Sequence, residues 1–163
     1  MGIDGNLYQF IKVLHILAAI IGFGGMFIAG FYGQEAKKRS GREGLAVGET
    51  TLKVTALVPT MAIYSVPVLG ILLIFFSNDA WKFSQAWISL SFLLYIVLLV
   101  LLIVVQAPAT RRMVALQGEG AGTSTAEAEA LNKKLAMVSG IINLCWIATL
   151  FLMVFKPGAP AGS

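Results

Sequence analysis

The sequence predicts an all-α integral membrane protein, a four-helix antiparallel bundle with both termini outside. Three observations carry this reading. The chain has 163 residues, of which 58% are hydrophobic and only 12% charged, and its mean hydropathy is +0.84, far above that of a soluble domain. Four apolar runs, at about residues 8–32, 54–76, 85–106 and 135–155, each supply the roughly 20 helical residues needed to cross about 30 Å of hydrocarbon. Finally, the basic residues are segregated. Nine of the twelve, among them Lys37, Lys38, Arg39, Arg42, Arg111, Arg112, Lys133 and Lys134, fall in the first and third connections. Basic connections stay in the cytoplasm, so both chain ends fall on the other side. The localisation expected is the bacterial inner membrane, with the lipid bilayer as the first partner.

The first run (YQFIKVLHILAAIIGFGGMFIAGFY) holds the single histidine of the chain. In steps of three and four it reads Ile11, His15, Ala18, Gly22, Gly25 and Ala29, a seam whose lower part is small. Small residues let helix backbones approach closely in lipid, so this is a packing face. An imidazole turned to acyl chains is costly, and His15 is expected to point inward. The run has no basic n-region and is too long for the apolar core of a signal peptide, so it is read as a retained helix. Residues 33–53 mix charges with Gly33, Gly41, Gly44 and Gly48 and read as a helical extension followed by a loop. No phosphate-binding glycine motif occurs there.

The second run contains Pro59 and Pro67. Each lacks an N–H and frees a carbonyl one turn earlier, at Thr55 and Ile63, so a kink is expected. Residues 77–84 form a tight turn, and Trp81 and Trp87 are expected in an interfacial aromatic belt. The third run is apolar almost all round from Leu93 to Val105 and is expected to face lipid, with Pro108 ending or bending it. Ser124 and Glu127 have capping-box spacing, placing the start of the last helix near Thr125. That helix carries Ser139, Gly140, Asn143, Cys145, Trp146 and Thr149, a mixture that faces neighbouring helices.

Function is bounded mostly by what is missing. The four runs contain no Asp or Glu, the groups on which proton- and cation-coupled carriers depend. No Ser-His-Asp, HExxH or paired-carboxylate pattern occurs. The net charge of +4 follows topology, which argues against a nucleic-acid partner. Cys145 is a single cysteine, so no intrachain disulfide forms. By depth, His15 matches Leu69 and Gly70 in the second run, Ser91 and Phe92 in the third, and Ala148 and Thr149 in the fourth. Ser65, Ser89, Ser91 and Thr149 are its candidate hydroxyl partners. A metal reading is also open: imidazole suits haem iron or copper, with Met153 or Cys145 as the second donor. The principal expectation is a small non-catalytic membrane protein, an accessory subunit packing in a larger complex of electron-transfer type or a homo-oligomer. The alternatives are haem b or copper handling through His15, and a carrier built on the kinked second run.

A resemblance adds to this. Lys12-Val13-Leu14-His15 followed by ILAAIIGFGG resembles a K-x-L-H first-helix pattern of small bacterial membrane proteins. The ending Met153-Val154-Phe155-Lys156-Pro157-Gly158 is similar to the M-V-x-K-P-G close of a family of predicted integral membrane proteins of unknown function, as is the P-x-x-R-R segment at Pro108, Arg111 and Arg112. That family resembles the four-helix group of CopD-like copper-resistance domains and HemJ-type protoporphyrinogen oxidases. In the latter, a first-helix histidine and a lysine on another helix are associated with haem binding and oxidation, which the resemblance carries over only to Lys12 and His15. Phe23 stands at the tryptophan position, and no second lysine lies within the runs.

Overall fold

The computed structural model describes residues 2–39, 41–118 and 126–159, and these are helical almost throughout. Helix α1 spans Asn6–Lys38 and α2 spans Gly41–Phe76. The third rod is α3 (Ala86–Val100), a π-helical stretch (Leu101–Gln106) and α4 (Ala107–Gly118) in unbroken succession. Helix α5 spans Ala126–Phe155. Four rods are long and apolar enough to cross a membrane, and they carry the four runs read from the sequence. At 1.5 Å per residue the 36 residues of α2 extend about 54 Å, so the rods project well beyond the hydrocarbon at the basic end.

Two helical hairpins make the fold. In the first, α1 and α2 run antiparallel along the small-residue seam. A Cβ on Gly22 would lie 2.8 Å from Cγ1 and 3.1 Å from the backbone N of Ile63, and one on Gly25 would lie 2.6 Å from Cγ of Pro59. The missing side chains are therefore what admits α2. In the second hairpin α5 packs along α3, while α4 joins both α5 and the basic end of α2. Large side chains connect the hairpins at mid-depth. Phe23 stacks on Trp146, centroids 5.3 Å apart, and meets Tyr95 edge-on at 5.9 Å. The buried core accordingly falls into three layers. A middle one is built on Phe23, Ile63, Val66, Tyr95, Leu98 and Val138, one at the terminal end on Tyr8, Trp81, Trp87 and Ile88, and one at the basic end on Met113, Leu116 and Ala128.

Three expectations are corrected. Residues 41–53 are helix, not loop, because their glycines close contacts: a Cβ on Gly44 would meet the carbonyl oxygens of Arg39 and Ala36, and one on Gly48 would lie 3.2 Å from Val114. Pro108 does not end its helix, which continues to Gly118. Immediately before it the ladder widens to i→i+5, as in the bond from Ala107 N–H to the Leu102 carbonyl, shifting register where a proline has no N–H to offer. Trp81 and Trp87 are each 6% exposed, packed edge-to-face at 5.4 Å within the bundle and not ranged along its outer surface. The start of the last helix agrees with the sequence, although Ser124 lies outside the described residues. Glu127 takes a bidentate bond from Arg112, with Nε at 2.8 Å and Nη2 at 3.1 Å, tying α4 to α5.

Candidate functional site

Three sets of polar groups stand out in the membrane-embedded region, and the prolines create the first. Pro59 leaves the Thr55 carbonyl without its helical donor, and the Thr60 hydroxyl supplies one at 2.7 Å. Pro67 does the same to the Ile63 carbonyl, which accepts from the Tyr95 hydroxyl of α3, also at 2.7 Å. Both freed carbonyls are thus satisfied, one from within the helix and one across the bundle, as lipid-embedded backbone requires. An ion coordinated at the broken ladder would have to displace these donors. Tyr95 escaped the sequence reading. Its signal was present nonetheless: one phenol in the middle of an otherwise aliphatic run must find an acceptor.

His15 is the second set. The structure brings it to the depth-matched partners on α2 and α3: its Cε1 lies 3.4 Å from where a Cβ on Gly70 would be, with Phe92 Cζ 3.8 Å from the same point. The hydroxyl partners expected for it are engaged elsewhere. Ser65 donates to Ala62, Ser91 to Trp87 and Thr149 to Cys145, all backbone carbonyls of their own helices, and Ser89 donates to the Phe83 carbonyl. Serine and threonine in helices commonly bond back in this way. His15 Nδ1 is buried and closes no hydrogen bond among the described residues. The two soft donors sit in different layers: Met153 packs with the Tyr8, Trp81 and Trp87 layer, whereas Cys145 packs with the Phe23 and Tyr95 layer. Cys145 is a free thiol, and no cluster of three or more His, Cys, Asp or Glu able to hold a metal occurs among the described residues.

The third set lies at the terminal end. Trp81 Nε1 donates to the Tyr8 hydroxyl at 2.7 Å, and the Lys156 ammonium sits 4.3 Å above the Trp81 ring. Residues from the two chain ends and the α2–α3 turn therefore meet there. Ser77 holds the turn, donating to the Ile74 carbonyl at 2.8 Å and accepting from Trp81 N–H at 3.0 Å. Trp87 Nε1, like His15 Nδ1, is buried without a partner among the described residues.

Fold and site together define a four-span helical membrane protein, its backbone breaks repaired by side-chain hydroxyls and its single histidine turned toward α2 and α3. The chain belongs to the DUF2269 family, described as predicted integral membrane proteins, whose model matches residues 9–157. No curated protein and no solved structure matches it.

Proposed function

We propose that this is a non-catalytic four-span membrane subunit that packs against another membrane protein, in a larger assembly of electron-transfer type, with both termini outside the bacterial inner membrane. The observation that carries the packing reading is Asn143. It lies mid-way along the apolar part of α5, is only partly covered by the chain, and its amide closes no hydrogen bond among the described residues. One turn before it, Gly140 is exposed with no atom within 4 Å of its Cβ position. An unpaired amide in hydrocarbon is costly, and side-chain amides beside small residues are what membrane helices use to associate. The segregation of basic residues supports the orientation.

The test is to solubilise the chain from its native membrane in mild detergent and measure the mass of the complex, for wild type and for Asn143→Leu and Gly140→Leu. A partner-sized excess lost in both variants supports the proposal. A monomeric wild type, or an excess untouched by either change, refutes it. The same measurement separates a second copy of the chain from a different partner by the mass itself.

The buried, unpaired Nδ1 of His15 favours a second reading, in which His15 ligates haem b or copper, and the likeness of Lys12 and His15 to the CopD-like and HemJ-type pattern supports it. Bound there, the group would supply one-electron redox chemistry. The chain contributes one imidazole, seated beside Gly70, and a second donor would come from Met153, Cys145 or a partner. A reduced-minus-oxidised spectrum with metal analysis decides it: a stoichiometric chromophore or copper lost in His15→Ala supports ligation, and a clean spectrum rejects it.

A further inference from the structure

We propose that the turn between α2 and α3 is a binding site for the headgroup of an aminophospholipid, the phosphatidylethanolamine class. The apolar run of α2 ends at Phe76, so the turn that follows lies at headgroup level. A surface cavity of about 410 Å³ opens there, lined by Phe75, Asp79, Trp81, Lys82 and Phe83 among others.

The walls divide by chemistry. Phe75 is 74% exposed and Phe83 49% exposed, two aromatic side chains placed to flank acyl chains. On the rim, Asp79 Oδ1 and Lys82 Nζ stand 3.5 Å apart and both are exposed. An exposed pair of this kind is weak and opens readily. It then presents one anion and one cation side by side, the complement of a headgroup whose ammonium and phosphate are joined by two carbons. An ethanolamine ammonium offers N–H donors to Asp79, which a choline cannot. A purely anionic headgroup would satisfy Lys82 but be repelled by Asp79.

The turn is held ready for a ligand. Ser77 closes it from below through the two bonds to Ile74 and Trp81. Gln85 closes it from the side, donating to the Ala80 carbonyl at 3.2 Å and accepting from Lys82 N–H at 3.3 Å. Asn78 and Asp79 take left-handed backbone angles, φ 53° and 66°, which these two residue types tolerate better than most. Trp81, fixed by Tyr8 on its edge and Lys156 on its face, forms the back wall. A headgroup therefore meets a turn whose backbone and back wall are already set, and only the Asp79 and Lys82 side chains remain to be ordered on binding.

The full chain is reconstituted in nanodiscs holding equal phosphatidylethanolamine, phosphatidylcholine and phosphatidylglycerol, released in the mass spectrometer, and the retained lipids are counted. Wild type is expected to retain phosphatidylethanolamine in preference to the other two. Asp79→Asn and Lys82→Gln should each cut that preference about tenfold, the scale of one hydrogen bond to a charged group. Both positions are exposed, so melting temperature should stay unchanged and a loss of lipid will not be a loss of fold. Equal retention of the ethanolamine and choline lipids would overturn the proposal. So would a phosphatidylglycerol preference that survives Asp79→Asn and falls only in Lys82→Gln, which would mark a simple phosphate contact. Displacement by soluble phosphoethanolamine at equal concentration would overturn the assignment to a lipid.

Discussion

Replacing Tyr95 with Phe tests whether the phenol repairs the break made by Pro67. The change removes the 2.7 Å bond to the Ile63 carbonyl while leaving the edge-on contact of the ring with Phe23. Ile63 is 1% exposed, so its carbonyl has no lipid or water alternative. An interhelical hydrogen bond in a membrane contributes about 0.6 kcal/mol on average, and a buried acceptor left alone costs about 1–3 kcal/mol. Tyr95→Phe is thus expected to destabilise by about 1–2 kcal/mol. The second arm of a double-mutant cycle is Pro67→Ala, which returns an N–H to the ladder opposite Ile63. In that background the carbonyl is not orphaned, and Tyr95→Phe should cost only about 0.6 kcal/mol or less. The cycle therefore predicts a coupling of about 1 kcal/mol, readable by reversible unfolding in mixed micelles. Equal costs in the two backgrounds would refute the reasoning, since the phenol would then be doing nothing specific to the proline.

Four further outcomes follow from the same structure. Gly25→Ala sets a methyl against the Pro59 ring, 2.6 Å from Cγ, and should destabilise by about 1–3 kcal/mol through overpacking. Gly24→Ala, which meets nothing within 4 Å, should be neutral or stabilising by up to about 1 kcal/mol from helix propensity; micelle unfolding of the pair checks both. Tyr8→Phe leaves the indole N–H of Trp81 buried without its acceptor and should cost about 1–3 kcal/mol, with a shift in tryptophan emission as the local reporter. Arg112, by its hydrogen bond and charge, holds the Glu127 carboxyl below the usual carboxylate value. A depressed carboxyl contributes stability that is present above its unfolded value and disappears as pH falls through the folded one. The difference in unfolding between wild type and Glu127→Gln should therefore shrink on acidification from neutral pH and also shrink in salt; a difference independent of pH would contradict the ion pair.

The candidate site was half legible in advance. Depth along a helix is one-dimensional, so counting residues from the span ends was enough to set His15 opposite Gly70 and Phe92. Direction around a helix axis is another matter. The hydroxyls at the right depth turned to carbonyls of their own segments, a short-range bond available whatever the neighbours do. No count of residues reveals that Ser91 prefers the Trp87 carbonyl to an imidazole. The tryptophans show the same division. Their position near a span end was readable, but interfacial and buried tryptophans look identical until Tyr8 arrives from the far end of the chain to accept the indole proton.

By itself the sequence determined the class, the four crossings, the α1 seam and the two carbonyls that Pro59 and Pro67 would free. Each of these depends on hydropathy, periodicity or local covalent geometry, which a chain carries wherever it folds. The tertiary structure decided who answers those needs: Ile63 and Pro59 fill the seam at Gly22 and Gly25, Tyr95 reaches Ile63 across the bundle, and Phe23 and Trp146 join the hairpins. It also turned an expected loop into helix, because Gly44 and Gly48 are contacts and not hinges. These outcomes depend on the rotation and separation of one rod against another, set by the whole packed surface and recorded in no single stretch of residues.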